Sequence, residues 1–127
     1  MIKTVLIIDD SPTARKILRK CLPDNHDFII FEAGDGLAGF EQYKEHTPDV
    51  TFLDLTMPVM DGKEALEKIR NFDSNAVVIV ATADVQPKTL FKLMDLGALM
   101  LLRKPISKDT VKESLDNAVQ ELESQGR

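Results

Sequence analysis

Apolar positions along the chain alternate between two textures: short, nearly unbroken runs rich in Val, Ile, Leu and Phe, and longer stretches with apolar residues three and four apart. The first texture predicts strands and the second helices. Five such pairs fit, with strands at Thr4 to Asp9, Phe28 to Glu32, Val50 to Asp54, Val77 to Thr82 and Ala98 to Leu102. Strands apolar on both faces are those covered by helices on both sides, so the pattern predicts an α/β fold with a parallel sheet. Helix starts are marked by Ser11 with Pro12 behind it, Asp35 before Gly36, Asp61 with Glu64 three residues on, and Ser107 with Asp109 in the first turn. The first helix carries the stripe Ala14, Ile17, Leu18 and Cys21; the last carries Val111, Leu115, Ala118, Val119 and Leu122. With no linker and no longer repeat, residues 1–127 are expected to form one domain without an output module, frayed only at the closing ESQGR.

Composition narrows the function classes. A chain of 127 residues, 43% of them hydrophobic, has material for one core. It contains no apolar run of 18 residues and no leader-like cleavage pattern, so a cytoplasmic protein without a membrane segment is expected. The net charge of −5, with basic residues scattered, gives no footprint for nucleic acid. The lone Cys21 reads as a buried reduced thiol, and a monomer is the default.

The first strand, VLIIDD, ends in two adjacent carboxylates, Asp9 and Asp10. In a doubly wound sheet of order 2-1-3-4-5, ligands bind beyond the carboxyl ends of the strands where strand order reverses, here between strands 1 and 3. Asp54 ends strand 3, so three carboxylates should converge. Their repulsion calls for raised pKa values or a cation, and hard oxygen donors without nearby His or Cys favour an ion like Mg2+. Strand 4 adds the hydroxyl of Thr82 and strand 5 the ammonium of Lys104. A carboxylate nucleophile, a cation, a hydroxyl and a lysine suit a phosphoryl group.

Asp9-Asp10, Asp54 followed by LTMPVMDG, Thr82-Ala83 and Lys104-Pro105, in that order, resemble the receiver domain of two-component response regulators, and the length resembles the stand-alone CheY-like type. The resemblance implies a flavodoxin-like (βα)5 fold and a phosphorylation switch that catalyses only its own phosphorylation and dephosphorylation. It makes Asp54 the phosphoacceptor. Asp9, Asp10, Asp54 and the backbone carbonyl of Thr56 become ligands of Mg2+, with Asp9 acting mainly through water. Lys104 and Thr82 become partners of the phosphoryl group, Ala83 stays small to leave room, and the Lys104-Pro105 bond is cis. The implied partners are a histidine kinase or phosphotransfer protein and an unidentified downstream protein.

Other readings fit less well. An aspartyl phosphohydrolase of the haloacid-dehalogenase kind wants a second Asp two residues after the nucleophile, where Thr56 stands. A pseudo-receiver would lose acids or the lysine. A flavin site would need a phosphate loop after strand 1. The chain departs from the receiver pattern at Leu101, where an aromatic switch residue is common. Output is therefore expected through residues 83–87 and the following helix, with Phe91, Met94 and Leu101 on the surface that changes. Thr56 and Asp84 flank the pocket, Pro58 and Gly62 shape the loop after strand 3, and His26 and His46 are expected to be solvated without a catalytic role.

Overall fold

The computed structural model describes residues 1–24, 26–55, 57, 59–83 and 86–126. Strands β1 Thr4–Ile8, β2 Ile29–Ala33, β3 Val50–Asp54, β4 Val78–Thr82 and β5 Met100–Arg103 alternate with helices α1 Pro12–Cys21, α2 Gly36–His46, α3 Gly62–Phe72, α4 Pro87–Asp95 and α5 Lys108–Ser124. All strand pairs are parallel, in the order β2-β1-β3-β4-β5. The order reverses between β1 and β3, as expected.

Successive residues of the inner strands point to opposite faces, and each face has its own core. Leu6, Ile8, Leu53, Val78 and Val80 pack with Tyr43 of α2, Leu66 and Ile69 of α3 and Leu93 of α4. Val5, Ile7, Phe52 and Ile79 pack with Leu18 of α1 and with Val111, Leu115, Ala118 and Leu122 of α5. Only the inner strands are covered almost throughout, Thr4 of β1 alone being half-buried. The edge strands β2 and β5 are partly open, Ile29 being 57% exposed, so their apolar character overstates their burial.

Local chemistry explains most helix starts. The side chains of Ser11, Asp35, Asp61 and Ser107 accept from the backbone N–H groups of Ala14, Ala38, Glu64 and Thr110 respectively. Ser107 and Thr110 also form a reciprocal capping box, a pairing that the emphasis on Asp109 overlooked. The apolar runs overstep their ladders: Phe28, Ala98 and Leu99 join the cores while lying just outside β2 and β5. The first helix departs further from expectation. Leu18 is its only buried residue, Cys21 is half-buried, and Ile17 is 47% exposed. Both histidines lie against phenylalanines, His26 stacked on Phe28 at 5.3 Å and His46 on Phe31 at 3.8 Å. His26 is exposed, whereas His46 is only half-buried by its ring contact.

The loop from Leu55 into α3 is pressed against the end of β3. Gly62 N–H donates to the Leu55 carbonyl at 2.7 Å, and a Cβ on Gly62 would lie 2.4 Å from the Asp54 carbonyl oxygen. The Lys104-Pro105 bond is cis.

Candidate functional site

Four strand ends deliver the chemistry. Asp9 follows β1, Asp54 is the last residue of β3, Thr82 the last of β4, and Lys104 follows β5. Asp9, Asp54 and Thr82 are 7%, 9% and 5% exposed, whereas Asp10 faces solvent. Carboxylate oxygens of Asp9, Asp10 and Asp54 lie within 4.8 Å of one another. Lys104 Nζ reaches in from the other side and donates to Asp9 Oδ2 at 3.2 Å and Asp54 Oδ1 at 3.1 Å. The second oxygen of Asp9 accepts the Ser11 N–H at 3.0 Å, tying the strand end to the start of α1. Lys104 N–H donates to the Thr82 carbonyl at 2.9 Å, which holds the last two strand ends together.

Burial is the main reason that the Asp54 carboxyl is held above its ordinary pKa of 3.8. The Lys104 hydrogen bond opposes that rise, while the charges of Asp9 and Asp10 add to it. Burial pulls the Lys104 ammonium down, but its hydrogen bond to Asp54 and the charges of Asp9 and Asp54 outweigh that effect and carry it above 10.5. One ammonium among three carboxylates leaves excess negative charge in a partly desolvated crevice. A cluster of oxygen donors with that charge fits a hard divalent cation such as magnesium.

The structure thus brings Asp9, Asp10, Asp54 and Lys104 into one cluster and places Thr82 buried at the neighbouring strand end. Thr56, expected to offer a backbone carbonyl, lies outside the described residues, as do Pro58 and Asp84. Sequence reasoning missed Arg15, whose Nη1 donates to the Asp9 carbonyl at 2.6 Å, and Glu32, which accepts from Arg15 Nε at 2.8 Å. The only sequence signal for Arg15 was its position one helical turn after Ser11, on the side that faces the strand end.

Comparison with known proteins agrees with this geometry. The response regulator receiver domain family matches residues 5–116. The chemotaxis protein CheY of Halobacterium salinarum is 35% identical over 119 residues, which cover 94% of this chain and 98% of that protein. CheY of Bacillus subtilis is 34% identical over 119 residues, 94% of this chain and 99% of that protein. Among solved structures, the CheX-CheY-BeF3-Mg2+ complex from Borrelia burgdorferi contains a chain that superposes with a TM-score of 0.84 at 34% identity, covering 89% of this chain and 86% of that one. Among the described residues, no helix is long and apolar enough to cross a membrane.

Proposed function

The chain belongs to the response regulator receiver domain family, and from that premise we propose that it is a CheY-like switch that takes a phosphoryl group onto Asp54 in a magnesium-dependent reaction. The observation that carries the proposal is the position of Lys104 Nζ, within 3.2 Å of both Asp9 and Asp54, beside carboxylates no more than 4.8 Å apart.

An oxygen of Asp54 attacks the phosphorus of a phosphohistidine on a histidine kinase or phosphotransfer protein. The O–P bond forms as the P–N bond breaks, the imidazole keeps the electron pair and takes up a proton, and Asp54 becomes an acyl phosphate. Lys104 then moves from the Asp54 carboxylate to an oxygen of the phosphoryl group, offsetting part of the added charge. Thr82 contributes its hydroxyl to the same group. Asp9, Asp10 and Asp54, with the backbone carbonyl of Thr56, are the residues that would hold magnesium. The ion, when bound, neutralises charge that builds on the phosphoryl oxygens. The protein acts as a signalling switch in the cytoplasm, not as a turnover enzyme. The Borrelia complex, which holds BeF3, Mg2+ and CheX, supports reading this site as one that takes a phosphoryl group and a downstream protein partner. Phe91 and Met94 on α4, 72% and 48% exposed, form the surface offered to such a partner.

Incubation with acetyl phosphate and magnesium should add one acid-stable, base-labile phosphoryl group that mass spectrometry assigns to Asp54. Asp54→Asn should abolish it. No adduct with several small donors, or an adduct on another residue, would overturn the proposal.

A further inference from the structure

The backbone carrying the first two carboxylates is itself held from one side. Asp9 N–H closes the β1–β2 ladder on the Ala33 carbonyl at 3.1 Å, and β2 ends at that residue. The chain then turns through Gly34 into α2, capped by Asp35, so no further N–H of β2 is available for the Asp9 carbonyl. Arg15 supplies the missing donor from α1, with Nη1 at 2.6 Å. Its orientation is fixed by Glu32 of β2, which accepts Arg15 Nε on one oxygen and Arg19 Nη1 on the other, both at 2.8 Å. A planar guanidinium holds two such partners in fixed directions, which a lysine cannot do. Asp10 hangs from the peptide that Arg15 grips. Among the described residues nothing hydrogen-bonds the Asp10 carboxylate, so its place in the cluster is set by that peptide.

We propose that Arg15 is a positioning residue for the divalent-cation site. By gripping the Asp9 carbonyl it fixes the Asp9–Asp10 peptide and aims the Asp10 carboxylate at the point shared with Asp9 and Asp54. Glu32 orients the guanidinium and, shared with Arg19, offsets part of the positive charge that would otherwise repel a cation. The inference rests on the reading of the acidic cluster as a magnesium site, and it assigns Arg15 no contact with the ion.

The test separates geometry from charge. Arg15→Gln combined with Glu32→Gln leaves the local net charge unchanged while removing the clamp. Calorimetric titration with magnesium chloride should show a dissociation constant raised on the order of tenfold over wild type, the scale set by groups that orient metal ligands. Exchange of the Asp9 amide, which closes the ladder on the Ala33 carbonyl at 3.1 Å, should quicken in the metal-free protein, while the melting temperature in EDTA confirms that the variant is folded. A folded double variant that binds magnesium as wild type does overturns the inference and leaves the proposed function standing. If wild type itself binds no magnesium, the reading of the site fails first and this inference fails with it. Should the double variant not fold, Arg15→Lys replaces it, since it keeps the charge and loses the fork: weakened binding supports the inference and wild-type affinity overturns it.

Discussion

Replacing Gly62 with alanine should damage the protein although the position begins a helix, where alanine is ordinarily the better residue. The added methyl would lie 2.4 Å from the Asp54 carbonyl oxygen, 2.6 Å from Leu55 Cα and 2.9 Å from the Leu55 carbonyl oxygen. All three are backbone atoms that move only if β3 and its loop move. Overpacking costs about 1–3 kcal/mol; three backbone atoms inside 3.0 Å put this case in the upper part of that range, about 2–3 kcal/mol, of which the helix-propensity gain of at most ~1 kcal/mol offsets part. A net loss of about 1–2 kcal/mol is expected. With an unfolding entropy of about 2.1 cal/mol/K per residue over the 127 residues, that lowers Tm by roughly 4–7 °C. Gly34→Ala is the control. Its Cβ would meet nothing nearer than Arg15 Nη1 at 3.6 Å, an ordinary contact, so its Tm should stay level or rise by a degree or two. Circular dichroism melts of both variants in EDTA provide the measurement. Equal Tm values for the two, or a Gly62→Ala protein as stable as wild type, would refute the claim that the α3 terminus is wedged against the end of β3.

Because folding raises the Asp54 pKa above 3.8, its contribution to stability is full below that value and is lost as pH rises through the folded pKa. Relative to wild type, metal-free Asp54→Asn should therefore gain stability across that window in urea unfolding series, and a difference independent of pH would contradict the assignment. Magnesium should raise the wild-type Tm by mass action, and Asp10→Ala should remove most of the gain; equal shifts in the two proteins would count against Asp10 as a ligand. Thr51 Oγ1 is buried at 0% exposure without a hydrogen-bond partner among the described residues. Thr51→Val should accordingly stabilise by ~1 kcal/mol, read from the urea midpoint. Val59 sits at φ 67° and is 79% exposed; Val59→Asn should relieve about 1 kcal/mol of backbone strain in the same assay.

Much of the architecture was legible because burial writes itself into runs of side chains. Inner strands such as Val50–Asp54 and Val78–Thr82 are buried at every residue, so an unbroken apolar run and a core strand coincide there. At the sheet edges that correspondence fails. Ile29 is as apolar as Ile79, yet one is 57% exposed and the other fully covered, a difference made by neighbours that no local pattern records. The carboxylate cluster was legible because Asp9, Asp10 and Asp54 interrupt apolar runs where a parallel sheet opens. Arg15 and Glu32 were not, since a charged residue on a helix or an edge strand reads as a solvated side chain. Their role comes from a ladder that ends one residue short, which only the assembled strands reveal. Ile17 misled in the opposite direction, falling on the helical stripe while α1 leaves it beside a cleft bordered by Lys104, Pro105 and Ile106.

The Lys104 bridge joins residues 95 and 50 positions apart in the chain, which bears on how the protein comes into being. Contacts of such long range form only after the intervening chain has been gathered in, so parallel topologies tend to assemble slowly. Until β5 docks, Asp9 and Asp54 face each other without the ammonium that offsets part of their charge. The electrostatic pattern that defines the crevice is then a property of the finished sheet alone. A chain stalled during synthesis, or one whose last strand has peeled away, carries the same acids in a different field and cannot mimic the folded protein to anything that recognises it by charge.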